Sequence, residues 1–113
     1  MKIVKKVSIK ELGQMAQKMD GNIVKADVDV ANKIVIIDMP MHFEGEQKLL
    51  ERGSKQSDLW GINLIPAKYG TNDFVMFESM INIKPKQDNS GMTIKSGKLR
   101  SKIKNIIDEV VHE

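Results

Sequence analysis

Residues 22–41 read NIVKADVDVANKIVIIDMPM, and their pattern decides the fold. Val24, Ala26, Val28 and Val30 alternate with Lys25, Asp27 and Asp29, the period of a strand with one face on a core and the other in water. Ala31-Asn32-Lys33 breaks the run as a turn, and IVIIDMPM returns as the antiparallel partner. Pro40 has no N–H to give a ladder, so this second strand ends there or lies at an edge. A hairpin in the first half of the chain argues against alternating strand and helix, and no glycine-rich phosphate loop follows any strand. Asp27, Asp29 and Asp38 fall on the solvent side of the hairpin. With Lys25 beside them they read as a solvated face rather than as paired carboxylates for acid–base chemistry.

Upstream, MKIVKKV is expected to form a short strand with Ile3 and Val7 pointing inward. Ser8 and Glu11 then form a capping box, and IKELGQMAQKM sets Ile9, Leu12, Met15, Ala16 and Met19 on one helical face. Asp20-Gly21 ends that helix. Downstream of the hairpin, FEGEQKLLERG predicts a short helix that buries Phe43, Leu49 and Leu50 and stops at Gly53. GSKQSDLWGINLIP (53–66) supplies a polar loop and a strand, PAKYGTND a turn, and FVMFESMINIKP (74–85) a long returning strand. KQDNSGMT reads as a loop. From Ser96 a terminal helix turns Leu99, Ile103, Ile106 and Val110 inward and Lys98, Arg100, Lys102 and Lys104 outward. The order β-α-β-β-α-β-β-α describes a single α+β domain over residues 1–113, with a mostly antiparallel sheet of about five strands and three helices.

Composition narrows the function classes. At 113 residues, 41% hydrophobic and 29% charged, the chain suits one folded domain. No apolar run is long enough for a transmembrane helix, and the first residues lack the apolar stretch of a signal peptide, so no membrane partner is expected. There is no cysteine, which removes disulfides, thiol nucleophiles and Cys-bound zinc and makes cytoplasmic residence the expectation. His42, Glu44 and Glu46, after Asp38, offer metal-ligand chemistry, but no H-E-x-x-H or E-x-x-H spacing joins them. The two glutamates read instead as acids at a helix N-terminus. No metal and no cofactor are expected. His112 lies where a chain end frays, which leaves His42 as the candidate general base.

The net charge of +3 permits a basic patch, with Lys84 and Lys86 preceding the basic terminal helix. Arg52 and Arg100 are the only arginines among eighteen cations, and aromatics make up 4%, so few side chains are suited to forked phosphate contacts or base stacking. A nucleic-acid partner, or a toxin-like RNA-cleaving activity using His42 or Glu78, is therefore the alternative reading.

The candidate site lies on the second hairpin. Trp60, Ile62 and Leu64 share one strand face, while Leu59, Gly61, Asn63 and Ile65 share the other, where Asn63 interrupts an apolar row. On the returning strand Glu78, Ser79 and Asn82 interrupt Phe77, Met80, Ile81 and Ile83. Symmetric closure of the hairpin places Ile62 near Glu78 and Gly61 near Ser79, so the polar breaks become neighbours. They either satisfy one another and tie down the adjoining loops, or form a small pocket floored by Gly61 and Asn63, walled by Trp60 and rimmed by Gln56 and Asn89. The candidate ligand-binding residues are Ser54, Gln56, Asp58, Trp60, Asn63, Glu78, Ser79, Asn82 and Asn89. Their chemistry suits a non-catalytic binding module for a small polar ligand or a partner protein. An open sheet edge offers a further way to pair with another chain.

GSKQSDLWGINLIP followed by DFVMFESMINIKP resembles a family of small bacterial and archaeal proteins defined only as a domain of unknown function. Its pattern is approximately G-S-x-Q-x-D-L-W-G-x-N-x-x-P, then D-S-M-I-N-I-R-P. The resemblance runs nearly end to end, including the opening I-V-K-K and the helix after His42. The chain departs from the family's frequent residues at Ile65 (tyrosine), Glu78 (aspartate) and Lys84 (arginine), which weakens any claim that an aromatic at 65 or a guanidinium at 84 is needed. The resemblance implies no activity, substrate or cofactor.

Overall fold

The computed structural model describes residues 1–19 and 21–113; Asp20, expected to end the first helix with Gly21, lies outside the described residues. The central hairpin forms as its alternation requires: β3 (Val24–Asp29) pairs antiparallel with β4 (Ile34–Ile37). On its other side β3 pairs antiparallel with β5 (Leu59–Leu64), setting Asp27 opposite Gly61 and Lys25 opposite Asn63. β1 (Lys2–Val4) and β6 (Val75–Met76) complete an antiparallel sheet of order β1-β4-β3-β5-β6. Among the described residues three helices cover it: α1 (Ile9–Met19), α2 (His42–Glu51) and α3 (Gly97–Val110). The protein is an α+β domain with a mainly antiparallel sheet.

The helix starts follow local chemistry. Ser8 Oγ accepts from the Glu11 N–H at 3.1 Å while Glu11 reaches back to the Ser8 N–H, the reciprocal capping box. Ser96 Oγ caps α3 by accepting from the Leu99 N–H. Val24, Ala26, Val28, Trp60, Ile62 and Leu64 face the main core, where Leu12, Ala16, Ile103, Ile106 and Ile107 pack against them.

The other sheet face is not the solvated one that the alternating charges suggest. α2 lies on it, and a second cluster of Ile36, Met39, Leu49 and Leu59 forms beneath. Asp27 and Asp29 are consequently fully buried, and Asp38 is half-buried at φ 68°. α2 turns His42, Gly45, Glu46 and Leu49 to the sheet, at steps of three and four residues. Phe43, expected inside, is 54% exposed, and Leu50 is half-buried.

Smaller expectations also change. Val4, not Ile3, enters the main core, because Ile3 pairs with Ile36 on the α2 face at an edge strand. Met19 is exposed at the end of α1. The returning strand stops after Met76 and gives way to short 3-10 turns at Met80–Asn82 and Pro85–Gln87. Its register sets Asn63 against Met76, one residue away from symmetric closure with Ile62 against Glu78. His112 does not fray: with Val111 it forms β7, paired in parallel with β2 (Val7–Ser8).

Candidate functional site

The centre of the α2-covered face is a polar chain built around His42. Asn63 Nδ2 donates to the Glu78 carbonyl at 3.0 Å, which turns Asn63 Oδ1 to His42 Nε2, also at 3.0 Å. Nε2 therefore carries the proton it donates. Nδ1 stands 2.9 Å from Asp27 Oδ1, so one further proton lies between them. While that proton is held, by either partner, the pair has zero net charge. Both ring nitrogens are thus occupied by protein groups, leaving His42 no nitrogen to offer a substrate.

Two glycines make room for this chain. A Cβ at Gly61 would stand 2.6 Å from Ser79 Oγ and 3.0 Å from His42 Nδ1. A Cβ at Gly45 would overlap Asp27 Oδ2 and approach Met39 Cε to 2.7 Å. Among the described residues Asp27 Oδ2 itself has no hydrogen-bond partner. Burial above all pushes the Asp27 carboxyl up, to about 6, against the opposing pull of His42; the charge of Glu46 adds to the rise and its backbone N–H works against it. Asp29, two residues along, has the opposite balance. Burial pushes its carboxyl up, but Ser54 Oγ, Asn32 Nδ2 and the backbone N–H groups of Asn32 and Ala31 all donate to it and hold it below its ordinary value.

Asn63 and the edge of His42 look out into a groove of about 790 Å³ between α2 and the segment after β6. Its polar floor also carries Glu46, Ser79, Glu78 and Gln56. Its walls are apolar, with Met41, Phe43, Met76, Met80, Ile83 and Met92 among them. Those six are the greater part of the nine large apolar side chains left exposed among the described residues, so the exposed apolar surface is gathered at one place.

Of the nine residues singled out from the sequence, Gln56, Asn63, Glu78 and Ser79 meet at the groove. The other five lie elsewhere. Ser54 Oγ donates to Asp29 Oδ2 at 2.6 Å, and Asp58 sits half-buried in the turn before β5. Trp60 is no wall of the groove: it packs in the main core, with Lys84 Nζ 5.2 Å from its ring centroid. Asn82 is fully buried, accepting from the Gly61 N–H at 2.8 Å and donating to the Gly61 carbonyl at 2.9 Å. Asn89 donates to the carbonyls of Asn82, Gly91 and Thr93 and accepts from the Lys95 N–H, which knots the loop instead of rimming a pocket.

The methionines, Phe43 and Glu46 were not singled out as groove residues. Their only sequence signal was an excess of apolar side chains around the polar breaks, which reads equally as core. No group of three or more His, Asp or Glu among the described residues is placed to hold a metal ion, and no helix is long and apolar enough to cross a membrane.

Residues 1–110 match the model of a family described as a protein of unknown function, DUF5674. No curated protein and no solved structure matches the chain.

Proposed function

The chain belongs to the DUF5674 family, whose description carries no activity, and we propose from its groove that it is a non-catalytic binding module for an apolar segment of a partner protein. The observation that supports this is the concentration of exposed methionine, phenylalanine and isoleucine along one groove. Water-exposed apolar surface gathered in this way marks interaction sites, and unbranched methionine adapts to varied side chains. A polypeptide suits the groove better than a small polar ligand. Met80 is 73% exposed and Met41 60%, so the walls stand open, whereas small-molecule sites enclose most of their ligand.

The alternative, RNA binding or cleavage, draws less support. His42 has both nitrogens engaged, Lys84 is buried on the Gln56 carbonyl at 2.7 Å, and Arg100 donates to the Ile94 carbonyl and covers the Phe77 ring. Sheet-edge pairing has little ladder to use, because the edge strands β1 and β6 hold three and two residues.

Selection of short random peptides on the immobilised protein tests the reading. Enriched peptides should share apolar positions and lose about tenfold or more in affinity when Met80→Glu places a charge on the wall. Peptides that bind Met80→Glu and Met92→Glu as tightly as the parent would exclude the groove as the binding surface.

A further inference from the structure

One turn after His42, α2 sends Glu46 to the groove floor. Glu46 is only 6% exposed, yet among the described residues its carboxylate has no hydrogen-bond donor and no cation at ion-pair distance. Its oxygens still face the groove, since among the described residues the only side-chain polar atom both unpartnered and closed off from solvent is Asp27 Oδ2. The buried cation that senses its charge, Lys84, has its ammonium on the Gln56 carbonyl and over the Trp60 ring. Glu78 adds a second carboxylate to the lining, against Lys25 alone.

A segment laid across the apolar walls would strip the remaining water from Glu46. An unpaired carboxylate in that position costs several kcal/mol, so apolar cover alone would bind poorly there. We propose that Glu46 is a cation-accepting subsite at the base of the groove, which takes the lysine or arginine side chain of a bound polypeptide segment whose flanking apolar residues cover the methionine walls. This rests on the reading of the groove as a polypeptide-binding surface. A guanidinium suits the site well, because its fork can meet both carboxylate oxygens while its stem lies along apolar walls.

The enriched peptides provide the test. They should carry a basic residue at a fixed position between apolar ones. One such peptide, and its analogue with norleucine for the basic residue, is titrated against the protein and against Glu46→Gln, a substitution of nearly equal volume. The basic peptide should weaken by about tenfold or more on Glu46→Gln, as expected for a desolvated ion pair, while the norleucine analogue should not weaken. If Glu46→Gln fails to fold, the parent protein decides alone, by preferring the basic peptide to its analogue by a similar factor. Apolar peptides with no fixed basic position, or equal binding of the basic peptide to both proteins, overturn the subsite and leave the binding module standing. A selection that enriches nothing on the parent protein overturns both.

Discussion

Asp27 and Asp29 occupy the same strand and the same face, and nothing in KADVD distinguishes them. What separates them is the supply of donors. Asp29 stands at the hairpin turn, where turn N–H groups, Asn32 and Ser54 reach it; Asp27 stands under α2, with His42 on one oxygen and nothing on the other. The period-two pattern could be read from the sequence, but burial of both faces could not, because charged residues on one side ordinarily mean water there. That the polar breaks on the two sides of the second hairpin lie near each other was legible, although the expected register, Ile62 against Glu78, is one residue off. The buried Asp27 makes stability depend on pH in a definite direction. Its folded value, about 6, lies above its ordinary 3.8, so the folded protein holds a proton that the unfolded chain releases. Its contribution to stability is complete below the ordinary value, falls as pH rises to about 6, and is level beyond, a loss of roughly 3 kcal/mol. Asp27→Asn removes this titration, and the amide can still donate to His42 Nδ1. Urea midpoints of the two proteins should therefore diverge across that interval, with the parent losing ground as pH rises. Parallel profiles would show that Asp27 titrates normally.

At the scale of elements, the capping box and the Gly53 stop announced two helix boundaries correctly because each is a local device. The long strand expected over residues 74–85 failed for an equally local reason. Beyond Met76 the edge of β5 is met by one side chain: the Asn82 amide engages both the N–H and the carbonyl of Gly61, then the Met92 carbonyl, doing by itself what a strand backbone would do. Because Gly61 has no Cβ, Ser79 and His42 can close over the same point. No period in the sequence encodes such a substitution, and Phe77, Met80, Ile81 and Ile83 look like strand residues whether or not a ladder forms. α2 departs from its expected packing for a related reason. Its inward face does keep helical spacing, but carries His42, Gly45 and Glu46 with Leu49, so apolar weight alone pointed to Phe43. Replacing Asn82 with Ala should cost about 2 kcal/mol or more, since the buried N–H and carbonyl of Gly61 both lose their partner. Hydrogen exchange at the Gly61 amide should speed up before the rest of β5 does. Uniform acceleration across β5, or an unchanged Gly61, would show that the segment after β6 is held by its apolar contacts instead.

For the molecule as a whole, one asymmetry organises the rest. α1 and α3 pack on the main core, while α2 alone crosses the opposite face, against β3, β4 and the Met80–Asn82 turn. The groove is what α2 and the segment after β6 leave between them, so its existence depends on which part of a face stays bare. Strand and helix order, which the sequence made readable, does not determine that. The arrangement sorts the methionines sharply: Met39 is fully buried beneath α2, whereas Met41, two residues later, stands on the groove wall with Met80 and Met92. Mild peroxide treatment followed by peptide mass mapping should convert Met41, Met80 and Met92 to sulfoxides well before Met39. The unfolding midpoint should hold while only the wall methionines are oxidised, because their side chains contribute little buried area. Peptide capture should fall at that same stage, since sulfoxides make the walls polar. Retained capture would remove the methionines from the binding surface. Oxidation of Met39 in step with Met80 would mean that α2 leaves the sheet readily; the His42 chain would open with it, and the groove could not be the fixed surface on which selective binding depends.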